Sequence, residues 1–263
     1  MKRPISIPIP GIKPAPVSII GVPVVPFDSY EQALGCVEQT VESRTPSTWM
    51  AVNPQKVYRA WKDQSVMQVL KWADVTICDG IGVSLAARLL HGRGIRRCTG
   101  CDLFFALIEL AARKGWKVFL LGASPESNAK ACERLLLRCP DLQIVGSQHG
   151  YFDDSGEVIR RVNASGADLL FVAMGSPRQE KWLAEHRGAI QAPFCLGVGG
   201  SFDVASGQAR RAPWLMRKLG TEFLYQLVTQ PWRWKRQVVY FPFVARVIRN
   251  SLPRLWGRQT PTA

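Results

Sequence analysis

The stretch from Ala73 to Leu90, ADVTICDGIGVSLAARLL, decides the fold. An apolar run reaches Asp79, breaks at Gly80 and Gly82, and resumes at helical spacing from Val83. Such a break predicts a strand, a tight turn and a helix, with a carboxylate at the mouth of the turn. In an open α/β sheet ligands bind there, beyond the carboxyl ends of the strands. Asp79 is therefore a candidate catalytic carboxylate. Asp is also a favoured helix N-cap, and spacing alone leaves both roles open.

Outward from that stretch the same alternation recurs. Strands are expected at Ser18–Val25, Thr48–Val52, Lys117–Leu121, Leu142–Gly146, Ala167–Ala173 and Phe194–Val198. Between them lie helical patterns: Ser29–Ser43, one long helix from the Asn53-Pro54 start to about Trp72, and Asp102–Arg113 with Asp102 as its cap. Further patterns run from Pro125 to near Cys139, from Glu157 to Ala164 and from Arg178 to Ile190. Strands alternating with helices predict βαβ units. The expected class is α/β, a Rossmann-like, mostly parallel sheet with helices on both faces. Residues 1–17 form a Pro-rich arm, 18–206 the α/β core, and 207–263 a helical basic appendage.

The 263 residues carry a net charge of +14, which suits nucleic acid, an anionic membrane face or a phosphorylated substrate. Seven cysteines without a spacing framework read as reduced thiols filling apolar space. Cys98 and Cys101 form one C-x-x-C, too few ligands for a zinc site on their own. The N-terminus has no apolar signal segment, and no apolar run approaches the ~20 residues that span a bilayer. The expected location is the cytosol or the cytosolic side of a membrane.

Four glycine-containing turns follow expected strands: Asp79-Gly80, Gly122-Ala123-Ser124-Pro125, Gly175-Ser176-Pro177 and Gly197-Val198-Gly199-Gly200-Ser201. Glycine admits a ligand close to the backbone, and helix N-termini offer free N–H groups to phosphate. Together these turns suggest a nucleotide site. Gly80-Ile81-Gly82 followed by Ala86 also approximates a dinucleotide-binding fingerprint, which keeps an NAD(P)-dependent oxidoreductase as the alternative. Arg178 or Gln179 is placed to face a ligand. No D-x-D pair occurs, so a nucleoside diphosphate would rely on Arg and Lys for neutralisation rather than on a metal. In the appendage Trp232, Trp234, Tyr240, Phe241 and Phe243 interleave with Arg233, Lys235, Arg236 and Arg246. Aromatic and basic residues confined to one end favour an anionic membrane interface over nucleic acid.

The ordered set CDGIGVSLAARLL, RRCTGCDL, VFLLGASP, QIVGSQHGYF, VNASGADLLFVAMGSPRQEKW and LGVGGSFDVASGQARRAP, with the W-R-W-K-R end, resembles the WecG/TagA/CpsF family of bacterial glycosyltransferases. The resemblance implies an inverting, metal-independent enzyme that needs no cofactor. It would transfer a hexose, glucose or N-acetylmannosamine, from a UDP-sugar to an undecaprenyl-diphosphate-linked saccharide. The setting would be exopolysaccharide or cell-envelope glycan assembly, peripheral on the cytoplasmic side of the bacterial inner membrane. It further implies Asp79 as base, with Arg97 in R-x-T-G and Gln179 in P-x-Q-E-K beside it. Asn53, the turn glycines Gly80, Gly122 and Gly175, and the loop Gly199, Gly200, Ser201 and Phe202 would bind substrate. Arg233 and Arg236 would close over the diphosphate. Ala51 stands where the family often has Thr or Ser, and Gln226 where relatives can carry Arg. The oligomeric state is left open, a homo-oligomer included.

Overall fold

The computed structural model describes residues 13–222, 225 and 238–255. Six parallel strands form one sheet: β3 (Ser47–Val52), β4 (Val75–Cys78), β5 (Lys117–Gly122), β6 (Gln143–Gln148), β7 (Leu169–Ala173) and β8 (Phe194–Gly197). Their spatial order is β4-β3-β8-β7-β5-β6, every neighbouring pair parallel. Five of the strands are buried and mostly apolar because both sheet faces are covered, whereas the edge strand β6 is more polar and only partly buried. Alternate residues feed two cores: Trp49, Val118, Leu120, Phe171 and Phe194 point into one, and Met50, Phe119, Leu121, Val172 and Cys195 into the other.

The first core is covered by α1 (Tyr30–Ser43), α5 (Gly100–Lys114), α6 (Pro125–Arg138) and the short α9 (Ser201–Ala205). Here Phe27 stacks on Trp49 with ring centroids 5.3 Å apart, and Phe104 meets Phe171 edge-on at 4.9 Å. The second core is covered by α2 (Pro54–Lys62), α3 (Gln64–Trp72), α4 (Ile81–His91), α7 (Ser155–Ala164) and α8 (Arg178–His186). The C-terminal helix Tyr240–Leu255 also docks there, on α2 and α4, and buries Phe243 and Val247. A further helix, α10 (Trp214–Leu219), follows α9. The α/β class with helices on both faces is thus observed, and the described part of the basic C-terminal region contains the helices α10 and Tyr240–Leu255.

Three local expectations differ from the structure. The single strand expected at Ser18–Val25 is a hairpin, β1 (Val17–Ile19) against β2 (Val22–Val24), because Ile20 and Gly21 turn the chain with φ of 51° and 84°. The long helix from Pro54 breaks at Asp63, whose extended backbone ends α2 while its carboxylate accepts the Ser65 N–H and starts α3. Asp102 does not cap its helix. Thr99 is the N-cap of α5, accepting from the Asp102 N–H at 3.2 Å and bonding the Asp102 carboxylate at 2.7 Å. Two further helices shift slightly at their ends: α7 starts at Ser155, and the pattern expected to reach Ile190 becomes α8 plus a single 3-10 turn at Arg187–Ala189.

Among the described residues no helix is long and apolar enough to cross a membrane. All seven cysteines are unpaired.

Candidate functional site

The helix after β3 covers one face of the sheet and the helix after β8 the other, so the chain parts between these two neighbouring strands. Parallel sheets open a ligand crevice at such a point. A cleft of about 400 Å³ lies there, lined by the carboxyl ends of β3, β4 and β8 and by the turn after β7. Four of the singled-out turns were expected to share it, and three do: Asp79, Gly175, and the loop Gly199, Gly200, Ser201 line it, as does Asn53.

Asp79 sits directly past β4, its N–H donating to the Val52 carbonyl of β3 at 2.8 Å. It is not a helix cap: the cap position of α4 belongs to Gly80, with φ 104°, and no side chain bonds the first turn. The carboxylate is left to the cleft. Burial raises its pKa to about 6, Lys56 and Arg211 pull it down, and Glu222 and Asp102 push it up. A carboxylate poised near neutrality can take a proton at physiological pH and remain mostly ionised before doing so.

Asn53 caps α2, its carboxamide oxygen accepting the Lys56 N–H at 3.0 Å. Gln179, 1% exposed, is held at both ends of its carboxamide. Its Nε2 donates to Glu180 Oε1 at 2.9 Å, and its Oε1 accepts the Gly199 N–H at 3.0 Å. Gly197 is glycine for this reason: a Cβ there would lie 2.7 Å from Gln179 Nε2. Gln179 therefore shapes the loop after β8. Arg178, its neighbour, is exposed over Phe152 and points elsewhere. In the loop itself Ser201 donates its hydroxyl to the Val198 carbonyl at 2.7 Å.

Four expected site residues fall outside the cleft wall, the first being Gly80, which holds the cap position of α4. Gly122 packs against β7, where a Cβ would come within 2.5 Å of the Ala173 carbonyl group. Phe202 is fully buried beside Phe104, so it anchors α9 rather than facing the opening. Arg97 lines an adjoining hollow with Tyr30, Arg96, Thr99, Asp102, Trp214 and Glu222, and the two spaces share Thr99 and Glu222. Arg233 and Arg236, together with Trp232, Trp234 and Gln226, lie outside the described residues.

The structure adds residues that spacing did not single out. Lys56 and Arg59 line the β3 side, and Arg59 donates to the Ser176 carbonyl at 2.9 Å. Arg210 and Arg211, in the basic region after α9, also line the cleft. Arg211 pairs with Asp102 at 2.5 Å and Glu222 at 3.7 Å. Burial, the largest single influence, opposes its charge, but the Asp102 bond together with the charges of Cys101, Asp102 and Glu222 outweighs it and keeps the guanidinium protonated. Cys101 also lines the wall, its thiol pushed up to about 11 by burial, and Cys98 is buried and shifted further in the same direction. Neither is a ready thiolate. The basic signal was legible in Arg210-Arg211, but only the turn of the chain after α9 shows that it faces inward.

Chemically, the cleft joins Asp79, a near-neutral carboxylate, to four cationic side chains, two further carboxylates (Asp203 and Glu222) and a glycine loop. That suits an anionic, phosphate-bearing ligand attacked or deprotonated at its edge. Among the described residues no three His, Cys, Asp or Glu side chains converge as metal ligands.

Known proteins resemble the chain in sequence. The model of the glycosyl transferase WecG/TagA/CpsF family matches residues 17–256. An N-acetylglucosaminyldiphosphoundecaprenol N-acetyl-beta-D-mannosaminyltransferase of Bacillus subtilis (strain 168) is 32% identical over 211 residues, 80% of this chain and 82% of that protein. The protein of the same name from Bacillus spizizenii is 34% identical over 202 residues, 77% of this chain and 79% of its own. With the match spanning nearly every element of the fold, the chain belongs to the glycosyl transferase WecG/TagA/CpsF family.

Proposed function

We propose that the protein transfers a hexose from a UDP-sugar to a hydroxyl of an undecaprenyl-diphosphate-linked saccharide, with inversion at the anomeric carbon. The observation that carries this reading is the Asp79 turn, an uncapped carboxylate open to a basic cleft with its pKa near 6. As the acceptor hydroxyl forms its bond to the anomeric carbon, Asp79 takes its proton. The bond from that carbon to the phosphate oxygen breaks, and UDP leaves with the electron pair. The cations of the cleft offset the charge that grows on the diphosphate. Residues outside the described segments, Arg233 and Arg236, would add to that neutralisation.

N-acetylmannosamine is the first donor to test, because the relatives' names specify its transfer to an N-acetylglucosamine-bearing lipid diphosphate. Glucose is the second. Ala51 lines the cleft without a hydroxyl, so its side chain offers the substrate no hydrogen bond there.

The acceptor's lipid requires a membrane face, and the C-terminal helix supplies a candidate. Phe241, Val244, Ile248 and Leu252 are exposed at spacings of three and four residues, with Leu85 and Leu89 of the adjacent α4 also exposed. Arg249 stands among them, outward. An apolar stripe with basic neighbours suits a peripheral position on an anionic cytoplasmic leaflet.

UDP release measured with UDP-N-acetylmannosamine and UDP-glucose, each with and without a lipid-diphosphate N-acetylglucosamine acceptor, tests the reading. Acceptor-dependent release with one donor, lost in Asp79→Asn, is expected. Full turnover in Asp79→Asn would remove the base assignment, and NAD(P) reduction without UDP release would favour an oxidoreductase.

A further inference from the structure

Lys56 stands where helix electrostatics disfavour it. Asn53 caps α2, Pro54 and Gln55 follow, and Lys56 takes the third helical position. A carboxylate is the natural occupant there, because it complements the positive end of the helix and can close a capping box. Lys56 is also buried, 8% exposed. Its Nζ donates to the Ala51 carbonyl at 2.7 Å and pairs with Glu180 Oε1 at 2.6 Å. Glu180 is 1% exposed, and its Oε2 is buried with no hydrogen-bond partner.

A buried ion pair with an orphaned oxygen is a poor device for stability alone, since apolar residues of like volume commonly do as well. A local rule broken at such a point signals a role at the site. Two geometric facts give the role. Glu180 Oε1 accepts from both Lys56 and Gln179, and Gln179 in turn accepts the Gly199 N–H. The line Lys56–Glu180–Gln179–Gly199 therefore crosses the cleft from the first turn of α2 to the loop after β8. Second, the Ala51 carbonyl that anchors Lys56 precedes Val52, whose carbonyl holds the Asp79 N–H. Neighbouring carbonyls of a strand point opposite ways, so the ammonium lies on the β8 side of β3 while Asp79 is held on the β4 side; both line the cleft, and Lys56 acts on Asp79 through space.

We propose that Lys56 is a positioning residue of this site: through Glu180 it fixes the Gln179–Gly199 loop, and it supplies the positive charge that balances Asp79 from the β3 side. The inference rests on the reading of Asp79 as base. Asp79 also feels Arg211 as a second cation, and Asp102 and Glu222 as opposing carboxylates. The buried thiols Cys78 and Cys98 and the Tyr240 hydroxyl feel Asp79 in turn.

The test uses the full chain and two readouts besides turnover, the ¹³Cγ titration of Asp79 by NMR and UDP affinity by calorimetry. Lys56→Met should raise the Asp79 midpoint by about one pH unit, which lowers its ionised fraction at pH 6 about fivefold. UDP binding should weaken about tenfold as the Gly199 loop loosens, and Lys56→Arg should recover most of both. In Lys56→Met/Glu180→Gln the glutamine carbonyl can still receive Gln179. UDP affinity should then return while the Asp79 midpoint stays high, and this pair also serves if the single variant fails to fold. A Lys56→Met protein with unchanged midpoint and unchanged UDP affinity overturns the proposal. A wild-type protein that neither binds UDP nor transfers sugar instead removes the reading of the cleft, and the Asp79 midpoint still reports on Lys56.

Discussion

Two glycine turns of this molecule read alike in sequence and behave in opposite ways. Asp79-Gly80 follows β4, and Gly122-Ala123-Ser124 follows β5; both lead into helices. After β5 the turn is filled by its own chain. Ser124 caps α6, and Asn128, 4% exposed, sends its carboxamide N–H groups to the carbonyls of Leu120, Gly122 and Gln148 at 2.9–3.3 Å. Ala123 donates to Ala173 and accepts from Gly150 at 2.8 Å each. After β4 there is no such filling: a Cβ on Gly80 would meet nothing within 4 Å, and no side chain caps α4. A strand-to-helix turn becomes a site when the chain leaves its polar groups for something else to satisfy. Glycine permits either outcome.

The largest effect that can break this comparison is on turnover. Asp79→Asn keeps the shape of the open turn and removes its base, so transfer should fall about a thousandfold, within the range that general bases supply. A change in the filled turn, Asn128→Ala, should leave kcat within about threefold, because Asn128 lies outside the cleft. Steady-state kinetics on both variants decide whether the two turns differ in kind.

Next come the glycines themselves. Gly122→Ala should cost about 3–5 kcal/mol, because a Cβ falls 2.5 Å from Ala173 backbone and φ is 126°. Gly80→Ala meets only the strain of φ 104° and should cost about 1–2 kcal/mol. Denaturant unfolding of the two variants orders them, and equal losses would show that the space behind Gly80 is not open. Asn128→Ala, which strands the buried carbonyls of the filled turn, should cost about 2–3 kcal/mol with UDP affinity intact.

Much of the fold was legible from apolar strand runs and glycine or proline stops. Trp49–Val52, Lys117–Leu121 and Leu169–Ala173 could be read directly, since strands buried on both faces leave unbroken apolar runs. The hairpin at Ile20-Gly21 was not, because its two short apolar arms run together in a β-branched stretch. Nor was the break at Asp63, where one polar residue both ends and starts a helix within an unbroken helical spacing. At the site, the place of Asp79 at the mouth of a turn was legible, but its spacing suited a helix cap as well, and only Gly80 in the cap position leaves its carboxylate free of that role. Lys56 and Arg211 were not, for opposite reasons. Lys56 looks like an ordinary solvated helix start until its partner, 124 residues away, is in place. Arg211 belongs to a basic run whose inward direction is set by Asp102, 109 residues earlier.

The smallest expected effect bears on the energetic cost of leaving the Asp79 turn open. In an unfolded chain this carboxylate would titrate near its ordinary value of 3.8, whereas burial in the cleft raises it to about 6. The folded state therefore binds the proton more tightly. The associated stability is present below about pH 4 and is lost as pH rises toward 6. Above that the ionised group is a net cost, about 1–2 kcal/mol once its partial exposure is allowed for. Asp79→Asn cannot ionise, so it should unfold at a higher temperature than wild type at pH 7.5 and at nearly the same temperature at pH 4. The gap should open between these limits. Thermal melts across that range measure it, and a gap that is independent of pH would mean that the carboxylate is solvated and the turn is held by its shape alone. A gap with the expected midpoint would instead tie the base to its cost, because the burial that lifts Asp79 into the working range for proton transfer is the same burial that destabilises the fold at neutral pH.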